Sequence, residues 1–218
     1  SLAPSEMCIR DSSKSVFDEL MEKQFTLPKT WIQPTPSSAC FVVFTSGSTG
    51  KPKGIVLEHH ALASSSAAHG PVMTYDQPGA RILQFASYTF DVSIGETFSG
   101  LQMGATVCIP AEEERLDDLA GVINRMNINI AYLTPSVASL LDPADVPGLG
   151  VLILGGEAVR AENVAAWADK LHLINLYGPA ETSVYSTGLS PLTLITAPGN
   201  IGFGIGARMW VTDLSLIH

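Results

Sequence analysis

The strongest constraint on the fold is an apolar strand that runs directly into a loop of glycines, hydroxyls and lysines. Phe41–Phe44 supplies four apolar residues, which predict a buried strand. In the loop, Thr45–Gly54, three glycines let the backbone turn tightly and bring its N–H groups close to an anion. Four hydroxyl side chains and two lysines add donors and positive charge. The run therefore predicts a phosphate-binding loop.

Two other interpretations of this loop are weaker. The P-loop of nucleotide triphosphatases requires Ser or Thr directly after its lysine, but Pro52 follows Lys51 here. A proline also resists the immediate helix that a P-loop feeds. A flexible Gly/Ser linker is disfavoured because linkers do not usually begin on a strand such as Cys40–Phe44.

Three more motifs follow the loop along the chain. FDVS occupies residues 90–93, NLYGPAET occupies 175–182, and an IG segment that begins at Asn200 ends in VTD at 211–213. Together with the loop TSGSTGKPKG, these motifs resemble the signature sequences of the adenylate-forming superfamily, specifically the adenylation domains of nonribosomal peptide synthetases. The resemblance covers about residues 31–213. Four ordered motifs are far more specific than one glycine loop.

Short apolar runs alternate with helix-like stretches, a pattern typical of an α/β fold with mostly parallel sheets flanked by helices. The resemblance implies the core of the large N-terminal subdomain of the adenylate-forming fold. We predict strands at Cys40–Phe44, Gly54–Leu57, Arg81–Ala86, Ala105–Ile109, Ile128–Leu133, Val151–Leu154 and His172–Leu176. We predict helices at His60–His69, Val92–Met103, Leu116–Asn127, Ser136–Leu141 and Ala161–Ala168.

The helix predicted over Leu116–Asn127 carries its apolar residues on one face, and we assign that face to the core. It comprises Leu116, Leu119, Val122, Ile123 and Met126. The preceding acidic run, Glu112–Glu114, is interpreted as a solvated loop. The histidines at 59, 60 and 69 are interpreted as surface or capping residues, because no metal-ligand spacing links them.

Composition disfavours several classes of protein. With 218 residues, 46% of them hydrophobic, the chain can bury a sizeable core, whereas its net charge of −9 argues against a nucleic-acid partner. The three cysteines lack C-x-x-C spacing, so neither a disulfide framework nor a zinc site is predicted, and a cytoplasmic location fits best. No apolar run reaches the length of a membrane span and the N-terminus has no secretory h-region, so no membrane partner is predicted.

The two ends of the chain are related through the genetic code. A nucleotide string that can encode Met7–Ser12 has a reverse complement that encodes Leu214–His218 in a shifted frame. The match resembles a translated transposase adapter from DNA-library preparation. We therefore predict a partial adenylation domain at residues 13–213, with adapter-derived tails at 1–12 and 214–218. The alternative is an ordinary disordered tail at each end.

The resemblance implies that a carboxylate attacks the α-phosphorus of ATP, which releases pyrophosphate and leaves an acyl-adenylate. Thr45, Lys53 and Glu181 are the implied catalytic residues: the loop holds the β- and γ-phosphates, and Glu181 ligates Mg²⁺. Taken alone, Glu181 is a surface carboxylate in a turn. The implied nucleotide-binding set is Thr45, Ser46, Gly47, Ser48, Thr49, Gly50, Lys53, Gly156, Glu157, Asn175, Tyr177, Gly178, Glu181 and Thr182.

Within that set, Asn175 and Tyr177 are implied to face the adenine, by hydrogen bonding and stacking respectively. Taken alone, a tyrosine at the end of a strand more often serves packing. Ala180 stands where the motif usually has threonine, which removes one hydroxyl near the phosphates.

Asp91 separates the branches of the superfamily, because in amino-acid-activating members the aspartate of F-D-x-S binds the substrate ammonium. Without the motif, Asp91 is a candidate helix N-cap. The implied substrate-binding set is Asp91, Val92, Gly95, Tyr132, Ile153, Gly155, Leu176, Val184 and Tyr185. Asp91 is its only charged residue, and Gly95 and Gly155 are small, so the wall favours a hydrophobic amino acid, large or aromatic ones included.

The family continues past V-x-D with a ribose-binding aspartate, a hinge and a small C-terminal subdomain that carries a lysine, none of which can be located in this sequence. We expect this chain to adenylate poorly or not at all by itself. Loading of a phosphopantetheine thiol on a peptidyl carrier domain, the family's next step, needs the same subdomain. Two alternatives remain open: an acyl- or aryl-acid ligase of the same superfamily, and a non-catalytic nucleotide-binding remnant.

Overall fold

A computed structural model describes residues 33–45 and 52–212. The chain divides at Pro34 into two units, and all that follows concerns the second, which starts at Thr35. Its strands are β1 Ala39–Thr45, β2 Lys53–Glu58, β3 Arg81–Leu83, β4 Thr106–Cys108, β5 Ile130–Leu133, β6 Val151–Leu154, β7 His172–Tyr177, β8 Thr187–Leu189 and β9 Phe203–Gly204. The predicted tails, 1–12 and 214–218, lie outside the described residues.

The helices are mostly short. They are α1 His59–Val72, α2 Val92–Ile94, α3 Gly100–Gln102, α4 Glu112–Asp117, α5 Leu119–Arg125, α6 Pro135–Ala138 and α7 Ala161–Trp167. A π-helical turn, Gly95–Ser99, joins α2 to α3, and 3₁₀ turns occupy Pro143–Asp145 and Ala180–Thr182. Among the residues described, no helix has both the length and the apolar character that a bilayer crossing needs.

The main sheet contains seven strands in the order β4-β3-β5-β6-β7-β8-β9. Neighbouring strands in the part β4-β3-β5-β6-β7 pair in parallel. Strand β8 pairs antiparallel with β7, and β9 pairs antiparallel with β8. The register places Tyr132 beside Ile153 and Leu154 beside Asn175. The predicted fold class, a mostly parallel sheet with flanking helices, is therefore confirmed.

The parallel strands are buried on both faces, because alternate residues point to opposite sides of the sheet. One side, the core face, includes Ala131, Leu133, Leu152 and Leu154 and packs against α5 and α7 through Val122, Ile123 and Trp167. The other side, the tyrosine face, includes Tyr75, Tyr132, Ile153, Ile174, Leu176 and Tyr185. Both sets are almost completely removed from solvent.

The β1–β2 pair is a separate antiparallel hairpin, and it corrects the expectation that Phe41–Phe44 is buried. Phe44 keeps 66% of its surface and Val42 keeps 49%. The apolar run predicted a strand correctly, but periodicity alone does not reveal whether a strand has a second layer over it.

The helix predicted over Leu116–Asn127 is two helices. Asp118 interrupts it with φ −142° and ψ 57°, and its Oδ1 accepts a hydrogen bond of 3.0 Å from the Gly121 amide at the start of α5. Leu116 therefore falls in α4, where it is 65% exposed, and its assignment to the core was wrong. The run Glu112–Glu114 forms the first turn of α4 instead of a loop, a position that favours acidic side chains.

Candidate active site

The predicted site residues gather at the carboxyl ends of β5, β6 and β7. Tyr132 lies in β5, Gly155 follows β6, and Tyr177 closes β7. In parallel α/β sheets this edge is where ligands bind, because strand ends and helix starts leave polar backbone groups there. The structure thus brings together motifs that are more than forty residues apart in the sequence.

The hairpin β1–β2 approaches the same region. Thr45 ends β1 and pairs with Lys53 at the start of β2. Backbone atoms of β2 come within 8 Å of the 3₁₀ turn that carries Glu181. Lys53 and Glu181 are both exposed. Ser46, Gly47, Ser48, Thr49 and Gly50 of the predicted phosphate loop lie outside the described residues.

The turn after β6 contains Gly156 and Glu157. Gly156 has φ +78°, a conformation that favours glycine. The Glu157 carboxylate accepts hydrogen bonds from Ser136, at 3.1 Å from its amide and 2.5 Å from its hydroxyl. These bonds lower the pKa of Glu157. Glu157 is thus exposed but already engaged at the start of α6.

The nucleotide motif leaves β7 and turns sharply. Asn175 is buried, and its Nδ2 donates to the carbonyl of Asn200 at 2.9 Å, which joins this motif to the IG segment. Tyr177 is 49% exposed. A Cβ on Gly178 would lie 2.4 Å from the Val184 carbonyl oxygen, so only glycine fits. The Thr182 hydroxyl donates to the Pro179 carbonyl at 2.9 Å and closes the turn.

The chain beyond this motif is strained. Ser183 and Val184 have φ of 62° and 77°, and such values are unusual for a β-branched residue. The Ser65 hydroxyl holds the Ser183 carbonyl at 2.9 Å, and the Ser186 amide donates to the Tyr177 carbonyl at 2.9 Å. Strain of this kind costs about 1–3 kcal/mol per residue and persists where neighbours enforce it. It fixes the position of the next residue, Tyr185.

Asp91 directly precedes α2. Its backbone has helical angles and its side chain makes no capping hydrogen bond, so an N-cap role does not explain it. Asp91 Oδ2 is closed to solvent and has no hydrogen-bond partner within residues 33–45 and 52–212. Burial raises the pKa of Asp91, nearby backbone amides oppose that shift, and the charge of Glu181 adds to it. Among the residues that the structure describes, the carboxylate therefore has no cationic hydrogen-bond partner at Oδ2 that would stabilise its charge.

The remaining residues of the predicted wall are closely packed. Ile153, Leu176 and Val184 are buried and Val92 is half-buried. The space expected beside the two glycines is filled: Tyr185 lies against Gly95, and Tyr132 lies against Gly155. The two rings are 5.6 Å apart between centroids.

Comparison with known proteins identifies the family. The family model described as "AMP-binding enzyme" matches residues 3–215. The chain belongs to this family. The match confirms the resemblance drawn from the motifs.

Curated relatives of this AMP-binding enzyme are fungal nonribosomal peptide synthetases. Nonribosomal peptide synthetase GRA1 of Gibberella zeae is 47% identical over 222 residues, covering 98% of the chain and 3% of the relative. Nonribosomal peptide synthetase atnA of Emericella nidulans is 51% identical over 178 residues, covering 82% of the chain and 2% of the relative. The chain therefore spans a very small part of the length of these relatives.

Solved adenylation-domain structures share the fold of this AMP-binding enzyme. The Klebsiella oxytoca NpsA N-terminal subdomain in complex with anthranilyl-AMSN has a TM-score of 0.76 at 20% identity, covering 91% of this chain and 54% of that one. The Vibrio cholerae adenylation domain AlmE in complex with glycyl-adenosine-5′-phosphate has a TM-score of 0.68 at 25% identity, covering 75% of this chain and 32% of that one. The large-subdomain fold implied by the motifs is confirmed.

Two buried polar residues of this AMP-binding enzyme escaped the sequence analysis. Glu96, beside Gly95, is fully buried and accepts hydrogen bonds from the amides of Phe85 at 3.2 Å and Ala86 at 3.1 Å. Burial raises the pKa of Glu96 to about 8. Glu96 therefore adds a buried carboxyl group next to Gly95, outside the predicted wall in which Asp91 is the only charged residue. No sequence signal marked Glu96, because the π-helical turn shifts it out of the usual helical register.

His69 is the second such residue, and its interpretation as a surface or capping histidine was wrong. Its Nε2 lies 2.9 Å from the Ser99 hydroxyl. Its ring is nearly perpendicular to that of Tyr185, and the two ring centroids are 4.8 Å apart. Burial lowers the pKa of His69 to about 4. The spacing Leu62, Ser66, His69 along α1, at i, i+4 and i+7, was the available signal. His59 and His60 are exposed, as predicted.

Two clefts of this AMP-binding enzyme lie away from the site. One, of about 810 Å³, lies between the segment that follows α6 and the end of α7, near Leu141 and Trp167. The other, of about 280 Å³, lies at the amino ends of β5 and β6. Neither is lined by a residue of the four motifs, so the motif edge remains the candidate active site.

Proposed function

We propose that this chain provides the ATP- and amino-acid-binding surface of an amino-acid-adenylating ligase. The amino-acid carboxylate attacks the α-phosphorus of ATP, the bond to the leaving phosphate breaks, and pyrophosphate departs from the aminoacyl-adenylate. The observation that carries the proposal is the unpartnered Oδ2 of Asp91 in an otherwise apolar wall. A substrate ammonium supplies the missing partner, whereas a buried carboxylate facing an amine-free acid stays uncompensated.

The nucleotide side of the site fits the chemistry of phosphoryl-centre attack. This chemistry requires neutralisation of charge and in-line alignment more than a protein nucleophile. Lys53 supplies a cation at the base of the hairpin loop, and Tyr177 offers an exposed ring for the adenine. Lys53 and Tyr177 would thus contact the nucleotide, together with the predicted phosphate loop that includes residues 46–51.

Mg²⁺ fits a site with few protein ligands. The described residues contain no group of three or more His, Cys, Asp or Glu side chains placed to hold a metal. Mg²⁺ commonly binds through one or two carboxylates together with substrate phosphates and water. Glu181 is exposed beside β2 and would serve as that carboxylate. The bound cation would offset charge on the phosphates during attack.

In a longer synthetase the adenylate would pass to a peptidyl carrier domain. The phosphopantetheine thiol would attack the acyl carbon, forming a thioester and releasing AMP. The fungal nonribosomal peptide synthetases similar to this chain support this partner, although the chain covers 2–3% of the lengths of GRA1 and atnA. Carrier loading is thus a proposal for the whole protein.

The test is a matched pair of ligands. Non-hydrolysable aminoacyl sulfamoyladenosines of the proteinogenic amino acids are titrated into the 218-residue chain by calorimetry, each beside its counterpart without the amine. We expect the best aminoacyl ligand to bind more tightly than its amine-free counterpart. Asp91→Asn should weaken the aminoacyl ligand by about 2–5 kcal/mol and leave the amine-free ligand unchanged.

The other outcomes identify the alternatives. Equal or tighter binding of the amine-free ligands would move the protein to the acyl- or aryl-acid ligases, a class suggested by the Klebsiella oxytoca NpsA N-terminal subdomain in complex with 3-hydroxybenzoyl-AMSN. Binding of ATP without binding of any acyl ligand would identify a nucleotide-binding remnant.

A further inference from the structure

The wall of the proposed amino-acid pocket contains two tyrosines that take up the room left by two glycines. A Cβ added to Gly155 would lie 2.0 Å from the Tyr132 hydroxyl, and one added to Gly95 would lie 2.9 Å from the Tyr185 hydroxyl. Both phenol rings therefore end directly against glycine backbone. Tyr132 is 6% exposed and Tyr185 is 2% exposed. The small residues create space for the protein's own side chains.

We propose that this pocket selects an amino acid with a small side chain, about the size of alanine or serine, and that Tyr132 and Tyr185 set the limit. The inference rests on the proposed function of the same site. It reverses the expectation of a large or aromatic substrate that the glycines alone favoured. A large side chain would have to displace a ring from this packed wall.

Tyr185 is constrained from two directions. The rings of His69 and Tyr185 are nearly perpendicular with centroids 4.8 Å apart, and His69 Nε2 lies 2.9 Å from the Ser99 hydroxyl. Ser99 in turn lies 2.8 Å from the Ser66 hydroxyl, so α1 and the π-helical turn form one buried cluster. The strained backbone at Val184 fixes the other side. His69 is thus a positioning residue, acting on substrate size through Tyr185.

Tyr132 is fixed by the sheet. It lies in β5, where it pairs with Ile153 of β6, and β5 is buried along its whole length. Its hydroxyl end reaches the turn at Gly155, where the Leu176 carbonyl is also close. Moving this ring would disturb the packed cluster that it forms with Ile153 and Tyr185. A rigid wall of this kind discriminates by steric exclusion, and one methylene alone is worth about 10–200-fold in a well-packed pocket.

The experiment compares four ligands and three proteins. Glycyl-, alanyl-, leucyl- and phenylalanyl-sulfamoyladenosine are titrated into the 218-residue chain, into Tyr185→Ala, and into Tyr88→Ala, a control that truncates an exposed tyrosine. We expect the unchanged chain to bind the alanyl ligand at least about tenfold more tightly than the phenylalanyl ligand. Tyr185→Ala should reduce or invert that ratio, and Tyr88→Ala should preserve it.

A second variant separates positioning from simple structural damage. His69→Ala should narrow the ratio between the alanyl and phenylalanyl ligands while retaining alanyl binding; an equal loss for both ligands would remove His69 from the proposal. Circular dichroism establishes that each variant is folded, and if Tyr185→Ala is not, Tyr132→Ala replaces it.

The ranking in the unchanged chain decides the inference even if no variant folds. Phenylalanyl or leucyl binding as tight as alanyl binding overturns the size limit while the proposed function stands. Failure of every aminoacyl ligand, in contrast, counts against the proposed function itself.

Discussion

The amino-acid side and the nucleotide side of the site are built differently. Tyr132 is buried in a sheet that is covered on both faces and Gly155 and Tyr185 are buried beside it, whereas Lys53 and Glu181 are exposed on a hairpin and a short turn. The first region resembles a protein core and the second resembles a surface. In the function proposed above, selection of the amino acid would therefore be tied to folding stability, whereas capture of the nucleotide would not.

The largest effect is expected from adding one methyl group to the buried region, next to Tyr132. Gly155→Ala would place Cβ 2.0 Å from the Tyr132 hydroxyl and 2.7 Å from the Leu176 carbonyl oxygen. Because a backbone atom cannot move aside cheaply, we expect the free energy of unfolding to fall by at least about 3 kcal/mol. Chemical denaturation measures it. Gly148→Ala, with no atom within 4 Å of its Cβ, is the control, and equal effects of the two changes would contradict the packing described.

Removing the charge of Lys53 in the exposed region should weaken ATP binding and leave the free energy of unfolding almost unchanged. Lys53→Gln alters an exposed residue, so we expect the free energy of unfolding to stay within about 0.5 kcal/mol of the original. ATP binding should weaken by about 1.5–3 kcal/mol, the range of a hydrogen bond to a charged group. Calorimetric titration with ATP checks this, and Lys170→Gln, exposed beside Asp169, is the matched control. A loss of stability with intact ATP binding would reverse the comparison.

The third prediction concerns Glu96, the buried residue next to Gly95, and its effect depends on pH. Its pKa is raised from 4.5 to about 8 by burial, so the folded state keeps a proton that the unfolded state releases. This contribution to stability is complete below pH 4.5 and is lost as the pH rises towards 8, with a slope of about 1.4 kcal/mol per pH unit from this one group.

Glu96→Gln should remove that slope, so the variant should lose less stability than the original between pH 5 and 8. Denaturation at several pH values measures the difference. Glu113→Gln, an exposed change in α4, should follow the original curve. Parallel curves for Glu96→Gln and the original chain would show that Glu96 titrates normally.

Much of the fold could be predicted from the sequence because buried parallel strands are continuous apolar runs. Val151–Leu154 was predicted to the residue. The short antiparallel strands β8 and β9 were not, since Thr187–Leu189 has too few residues to show a period. The break at Asp118 was missed because the apolar spacing continues across it.

The candidate site was predictable only as a set of positions. The resemblance implied that Asp91, Gly95 and Gly155 share one wall, and in the structure Tyr185 lies against Gly95 and Tyr132 lies against Gly155. Which groups fill the space beside these glycines depends on the tertiary structure, because a glycine in a sequence does not reveal whether a ligand or a neighbouring ring lies against it. The burial of Glu96 was missed because the π-helical turn shifts its register, whereas the spacing Leu62, Ser66, His69 was a signal for the burial of His69.

Alternate residues of β5 and β6 face opposite sides of the sheet, so substitutions at neighbouring positions affect different clusters. Leu152 and Leu154 face the core, and Ile153 faces the tyrosines and leads to Gly155. A library that varies only every second codon of β6 would therefore alter the tyrosine face and leave the core face, with Leu152 and Leu154, unchanged. A single-codon deletion in β6 would exchange the two roles at once, so this strand tolerates substitution far better than a change of length.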